Sequence, residues 1–272
     1  MKRATRTLAI VALTTLVSCS GQFTPASPPA QDELVLGIYS TYATEPLMES
    51  MSRSYTDSHP NTIISTMAGN HKFMLERLYR GEMRYFISQH LDSSGDSAGL
   101  WAAPVAQDGL VLLLHPDNSI SNLSASEIRN IYQGFIRNWQ ETDGQDLDII
   151  LISRENGSGT RNEFERLVMG QRRTSPNAQI VSSNEAMITA ILKEPGAIGY
   201  TMLSQSTNQL QILAIDGMIP SITTITNSTY PLRSTIYIIG LNEPIRSYRT
   251  FIGWVQSSAG QNTIASQYAP IP

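Results

Sequence analysis

Residues 154–160, Arg-Glu-Asn-Gly-Ser-Gly-Thr, have types and an order that suit the binding of an anion. An apolar, β-branched run at 147–152 precedes them, and apolar residues at helical spacing follow at 164–168. The pattern predicts a strand, a glycine-rich turn and a helix. Such a turn directs free backbone N–H groups, hydroxyls and the positive end of a helix dipole towards one point. Arg154 at the strand end adds a guanidinium that can hold an oxyanion with two prongs.

Enzymatic interpretations fit this stretch less well. Thr160 followed by Glu163 predicts a capping box at the start of the helix. A Walker phosphate loop needs Lys after its last glycine, whereas Gly159 is followed by Thr160. A nucleophile elbow needs glycine two residues on either side of the serine, and Ser158 has Asn156 and Thr160 there. We therefore predict a binding protein and not an enzyme, with a purely structural turn as the alternative.

Three predicted strands between residues 34 and 88, each followed by a turn or helix, precede this stretch. Successive strand–helix units predict a parallel, doubly wound sheet, in which ligands lie at the carboxyl ends of the strands. Thr41, Asn70 and Ser88 follow these strands. Further strands are predicted at 109–116, 147–152, 197–200 and 231–240, helices at 124–134, 184–192 and 246–257, and a connector at 103–106. The predicted fold class is α/β, with two doubly wound lobes and a ligand cleft between them.

The N-terminus has the pattern of a lipoprotein signal peptide at residues 1–19. A basic start precedes an apolar core at 8–17, shorter than the roughly 20 residues that span a membrane. Residues 16–19 resemble a bacterial lipobox, which predicts lipidation of Cys19, the only cysteine; the alternative is a chance thiol. Residues 20–32, rich in Pro and Ser, predict a disordered tether. We expect an extracytoplasmic protein anchored by lipid to a bacterial membrane, in the periplasm or on the outer surface.

Composition limits the possible partners. The 272 residues are 41% hydrophobic, enough for one large core or two modest ones. Only 15% are charged and the net charge is −4, so no basic field exists to hold nucleic acid. A protein of this charge must bind an anion locally, through dipoles and one or two guanidiniums.

Several short segments, in a fixed order along the mature chain, are shared with one family. They lie at 40–49, 131–139, 154–161, 194–200, 213–217, 230–232 and 251–255. Through them the chain resembles the substrate-binding lipoproteins of bacterial phosphate ABC transporters, in the type II periplasmic binding protein superfamily. The resemblance implies a monomeric receptor that closes two lobes around inorganic phosphate and delivers it to a transporter permease. No cofactor and no metal are implied.

The resemblance also implies lobe boundaries and site residues. The family's lobe order places residues 33–106 plus 222–272 in lobe 1 and 107–221 in lobe 2. The implied ligand-binding residues are Ser40, Thr41, Tyr42, Asn70, Ser88, Gln89, Arg154, Gly157, Ser158, Gly159 and Thr160.

Two departures from the family's pattern bear on the ligand. The second turn, at 69–72, is bulkier than the family's Ser/Gly-rich loop, and the third strand ends in Ser88-Gln89-His90 where an Asp or a Ser-Arg pair is common. A carboxylate accepts the proton of phosphate and repels sulfate, whereas the amide of Gln89 accepts without repelling. A receptor for another oxyanion, of the sulfate or molybdate type, is therefore an alternative. A phosphate-binding adhesion or signalling lipoprotein without a transport role is another.

Four further side chains could act at the site. His71 and His90 lack an accompanying ligand cluster, so we expect loop histidines near an anion or in solvent. Glu155 is expected to pair with Arg154 or to be solvated. Arg161 is expected to form a salt bridge across the cleft, with anion contact as the alternative.

Overall fold

Strands and helices alternate along the chain in the computed structural model, which describes residues 33–91 and 99–271. The predicted signal peptide, Cys19 and the tether lie outside the described residues. The strands are β1 (Leu34–Thr41), β2 (Thr62–Ser65), β3 (Ala68–Gly69), β4 (Tyr85–Ser88), β5 (Trp101–Leu114), β6 (Asn122–Leu123), β7 (Ile150–Arg154), β8 (Gln179–Val181), β9 (Ala197–Met202), β10 (Gln211–Ile212), β11 (Ala214–Ile215) and β12 (Arg233–Gly240). The α-helices are α1 (Glu45–Ser58), α2 (His71–Tyr79), α3 (Ala125–Gln133), α4 (Gly159–Phe164), α5 (Asn184–Lys193), α6 (Ile222–Thr226), α7 (Arg246–Val255) and α8 (Ser258–Ile264). Within these ranges no helix is long and apolar enough to cross a bilayer.

One large sheet connects most of the described strands, in the order β2-β1-β4-β12-β5-β9-β7-β8. β1 pairs in parallel with β2 and β4, and β7 pairs in parallel with β8 and β9. Between these two parallel groups, β12 and β5 run antiparallel to their neighbours. The predicted α/β class and the parallel strand–helix units are therefore confirmed.

The predicted connector at 103–106 is wrong, because these residues belong to the 14-residue strand β5. A proline within a strand is unusual, since it cannot donate a hydrogen bond to a sheet ladder. In the structure Pro104 is exposed and lies where the register between β5 and β12 shifts, a position that tolerates proline. Its neighbours Ala103 and Val105 are buried.

Separate clusters of buried apolar side chains pack on the two parts of the sheet. One contains Leu36 and Phe251, another contains Tyr132 and Trp139, and β5 contributes to both. Buried area of this kind is the main source of folding free energy. The two clusters agree in outline with two lobes. Within residues 225–232, which were predicted in lobe 1, Ile225, Tyr230 and Leu232 pack with the cluster of Tyr132 and Trp139. The lobe boundaries therefore stay a prediction.

Candidate anion-binding site

A small cavity lies where β1, β4 and β7 end and α2 and α4 begin. Its lining residues are Thr41, Tyr42, Ala43, Asn70, Gln89, Arg154, Glu155, Ser158, Gly159 and Thr160. The structure thus brings eight of the eleven predicted ligand-binding residues together around one space. Ala43 and Glu155 complete the lining; an alanine gives no chemical signal in the sequence.

The wall after β1 is a 3₁₀ turn, Tyr42–Thr44, that leads into α1. Thr44 Oγ1 accepts from the backbone N–H of Thr41 at 3.1 Å and donates to the carbonyl of Ile87 at 2.8 Å. This brace fixes the turn against β4. Because the first N–H groups of a helix have no intrahelical acceptor, those of Tyr42 and Ala43 can serve a ligand.

The turn before α2 is held by Asn70, its N-cap. The Asn70 side chain accepts from the backbone N–H of Phe73 at 2.9 Å. The backbone N–H of Lys72 donates to the carbonyl of Gly157 at 3.2 Å, which joins this turn to the turn before α4. Beside the cavity, Gln205 Nε2 also donates to the carbonyl of Tyr42 at 3.2 Å.

The predicted capping box of Thr160 and Glu163 is wrong. α4 begins at Gly159, and Ser158 is the N-cap, with extended backbone and an Oγ that accepts from Arg161 N at 3.4 Å. Serine caps a helix at least as well as threonine, and the left-handed Gly157 before it allows the earlier start. The earlier cap places Gly159 and Thr160 in the first turn at the cavity.

Arg154 is the last residue of β7 and is only 5% exposed. The predicted pairing with Glu155 is confirmed: Nε and Nη2 donate to its carboxylate at 3.1 and 3.4 Å, and Nη2 also donates to the Ser182 carbonyl. Within the described part of the chain, Nη1 has no protein acceptor. A charged donor group therefore lines the cavity with hydrogens to spare.

Arg161 does not reach across the cleft, so that expectation is wrong. Its Nε pairs with Glu165 at 2.8 Å, four residues further along the helix, and its Nη1 donates to the Arg154 carbonyl at 2.9 Å. Glu165 lies on the same helix face as Arg161, as i,i+4 partners do, and holds its guanidinium in place. The guanidinium then supports the backbone of Arg154 through the bond to its carbonyl.

Gln89 joins two walls of the cavity through its amide. Its Oε1 accepts from Thr41 Oγ1 at 2.9 Å, and its Nε2 donates to Thr160 Oγ1 at 3.2 Å. Gln89 is 2% exposed, so this bridge is shielded from water. Since Thr160 Oγ1 accepts from Gln89, its own hydrogen remains available to a ligand.

Three predicted residues, Ser40, Ser88 and Gly157, shape the site without lining it. Ser40 is buried within β1. Ser88 Oγ bonds His71 Nδ1 at 2.8 Å and accepts from His90 N at 3.0 Å. Contrary to expectation, both histidines are buried, with ring centroids 5.1 Å apart. In the described ranges no group of three or more His, Cys, Asp or Glu residues is placed to hold a metal ion.

Comparisons with known proteins show the family of this chain. Residues 38–259 match the family model of the PBP superfamily domain, and the chain belongs to this superfamily. Among curated proteins it is 27% identical to the phosphate-binding protein PstS of Bacillus subtilis, over 87% of this chain and 80% of that one. It is 24% identical to the PstS of Borreliella burgdorferi, over 98% of both chains.

Solved structures confirm the fold. A putative phosphate ABC transporter substrate-binding protein from Clostridium perfringens, solved with bound phosphate, has a TM-score of 0.80 at 24% identity, covering 88% of this chain and all of its own. An ABC-type phosphate transport receptor from Vibrio cholerae has a TM-score of 0.75, also at 24% identity, covering 87% of this chain and all of its own. The resemblance seen in the short sequence segments is therefore confirmed.

Proposed function

We propose that this protein is an extracytoplasmic receptor that binds inorganic phosphate in the cavity and delivers it to the permease of an ABC transporter. The observation that carries this proposal is the set of hydrogen-bond donors that line the cavity. Among the described residues, Arg154 Nη1 and the N–H groups of Gly159 and Thr160 have no protein acceptor. The Thr160 hydroxyl accepts from Gln89 and keeps its own hydrogen for a ligand. Helix N-termini and a guanidinium together suit a tetrahedral oxyanion.

The affinity would come from several charge-assisted hydrogen bonds in a cavity shielded from water. Each such bond contributes about 1.5–3 kcal/mol. Arg154 and Glu155 are the charged residues of the lining and are already paired, so binding relies on dipoles and on the remaining guanidinium hydrogens. The names of the curated relatives and the bound phosphate in the Clostridium structure favour phosphate.

Lipid attachment at Cys19 and a monomeric receptor complete the proposal, which assigns the protein no catalytic step. The hydroxyls of the cavity support this assignment. Thr160 Oγ1 bonds the amide of Gln89 and Ser158 Oγ caps α4, and neither is paired with a general base from the part of the chain that the structure describes.

Isothermal titration calorimetry of the mature protein with phosphate tests the binding step. We expect saturable one-to-one binding that Arg154→Ala weakens at least about a hundredfold, because two charge-assisted bonds are lost. The matched control is Arg80→Ala, whose side chain is 70% exposed and lies outside the cavity. Equal affinity of the Arg154→Ala variant and the native protein would contradict the proposed role of Arg154. Phosphate uptake by cells lacking the protein tests delivery, and unchanged uptake would favour an adhesion or signalling role.

A second candidate function is the binding of another oxyanion of the sulfate type. The observation that favours it is the neutral amide of Gln89, which occupies the strand end where a carboxylate would repel a fully ionised anion. Sulfate displacing phosphate at comparable concentration would support this candidate. No displacement at a thousandfold excess would exclude it.

A further inference from the structure

A buried polar network lies behind the cavity and centres on the carboxylate of Glu163, on α4. His90 Nδ1 lies 2.8 Å from Oε1, and Ser234 Oγ on β12 donates to Oε2 at 2.7 Å. Arg166 donates from Nε and Nη2 at 3.0 and 2.6 Å. Glu163 is 1% exposed, so every acceptor site that it uses is protected from water.

The same network reaches the residues that line the cavity. Ser234 Oγ also lies 2.9 Å from the carbonyl oxygen of Gln89, the residue before His90. Thr160, which bonds the Gln89 side chain, precedes Glu163 by one turn of α4. Glu163 therefore fastens the helix that carries Thr160 to the strand end that carries Gln89.

The charge of Glu163 opposes an anion in the cavity. Glu163 lies about 4.5 Å further along the helix axis than Thr160, since each residue advances about 1.5 Å. Burial alone would raise its pKa, but hydrogen bonds from His90, Arg166 and Ser234 outweigh burial and hold the pKa below its usual value. The carboxylate is thus ionised at neutral pH, where its direct electrostatic effect on an anion is repulsive.

We propose that Glu163 is a positioning residue of the anion site. Through His90 and Ser234 it clamps the start of α4 against the end of β4, at the separation where Gln89 reaches Thr160. This role rests on the proposed function, and it predicts the opposite sign from simple electrostatics: loss of the carboxylate weakens anion binding although it removes a repulsive charge.

The test compares Glu163→Gln with Glu194→Gln by phosphate calorimetry at pH 7.5. Glu194 is exposed at the end of α5 and does not line the cavity, so it controls for the loss of one negative charge. We expect Glu163→Gln to weaken binding at least about tenfold and Glu194→Gln to change it less than about twofold. Ser234→Ala, which keeps the charge, should weaken binding in the same direction. Equal or tighter binding by Glu163→Gln would overturn the proposal.

The pH profile separates positioning from a general loss of structure. Hydrogen bonds hold the pKa of Glu163 below its usual value, so its carboxylate keeps its charge from pH 8 to pH 6. His90 and Arg166 contact this carboxylate, and the His71 ring lies 5.1 Å from the His90 ring. The ratio of dissociation constants between Glu163→Gln and the native protein should therefore be constant over this range and fall towards one only when acid protonates Glu163. The titration of phosphate itself cancels in this ratio. A ratio that does not fall when Glu163 is protonated would contradict the role of its carboxylate.

A measurement without ligand keeps the test separate from the proposed function. Hydrogen exchange of the backbone amides at residues 159–161 should be faster in Glu163→Gln than in the native protein and unchanged in Glu194→Gln. Unchanged exchange in Glu163→Gln would overturn the clamp even if phosphate binds. Failure of the native protein to bind phosphate, with faster exchange in Glu163→Gln, would instead contradict the proposed function alone.

Discussion

Gln89 shows how a single neutral side chain can set the chemistry of a candidate site. It links Thr41 and Thr160, which are 48 and 71 residues away along the chain. The family resemblance predicted Gln89 as a site residue because of its position at a strand end. The two hydrogen bonds could not be predicted, since they depend on how three distant segments meet.

Replacing Gln89 by Glu should convert the site into one that selects a protonated anion. The new carboxylate would still accept from the Thr41 hydroxyl, and at Thr160 it would accept a hydrogen bond where Gln89 donates one. It would also repel sulfate and accept the proton of phosphate. We expect sulfate affinity to fall about a hundredfold and phosphate affinity to change less than about tenfold, as measured by competition calorimetry. Gln209→Glu, at an exposed position, is the control for added charge. Equal losses for both anions would contradict this role of Gln89.

At the scale of elements, the strand, glycine-rich turn and helix around residue 157 were predictable, and the exact cap was not. Several Ser and Thr residues near the turn can each cap a helix, so local sequence leaves the first helical residue undecided. The left-handed φ of 85° at Gly157 and the bond from Lys72 N–H to its carbonyl come from packing between distant turns. Similarly, the length of β5 depends on its pairing with β12.

Gly157→Ala should weaken both stability and binding. A Cβ on Gly157 would lie 2.8 Å from Lys72 Cβ, too close for either turn to keep its position. Gly81→Ala is the matched control, because Gly81 also has a positive φ, 70°, but no atom within 4 Å of the added Cβ. We expect each variant to lose about 1–2 kcal/mol of unfolding free energy from backbone strain, measured in urea. Only Gly157→Ala should also lose phosphate affinity, by about tenfold or more; equal affinities in the two variants would argue against this contact between the turns.

At the scale of the whole molecule, β5 carries an ionisable group at the middle of the large sheet. Asp108 is 2% exposed and accepts from the backbone N–H of Gly109 at 2.7 Å and of Ser204 at 3.3 Å, and from the Ser204 hydroxyl. Burial raises its pKa from 3.8 to about 6, against the opposing effect of these hydrogen bonds. The burial of Asp108 could not be predicted from the sequence, because it depends on the strands that pair with β5 on both sides.

The native fold therefore favours the protonated form of Asp108. Its contribution to stability is fully present below the unfolded pKa of 3.8 and is lost as the pH rises through about 6, a loss of about 3 kcal/mol by pH 7. Asp108→Asn mimics the protonated form, so its unfolding free energy relative to the native protein should rise by about that amount between pH 4 and pH 7. Urea denaturation across this range measures the difference, and the exposed Asp57→Asn is the control. A difference independent of pH would contradict the assignment.

The bond between Lys72 N–H and the Gly157 carbonyl has a consequence for how such a protein can diverge. Both atoms belong to the main chain, which every residue except proline can supply at the donor position. Substitution of the exposed Lys72 side chain can therefore proceed over generations without loss of this contact beside the cavity. The surface beside the cavity can therefore change its side chains while the main-chain bond between the two turns is kept.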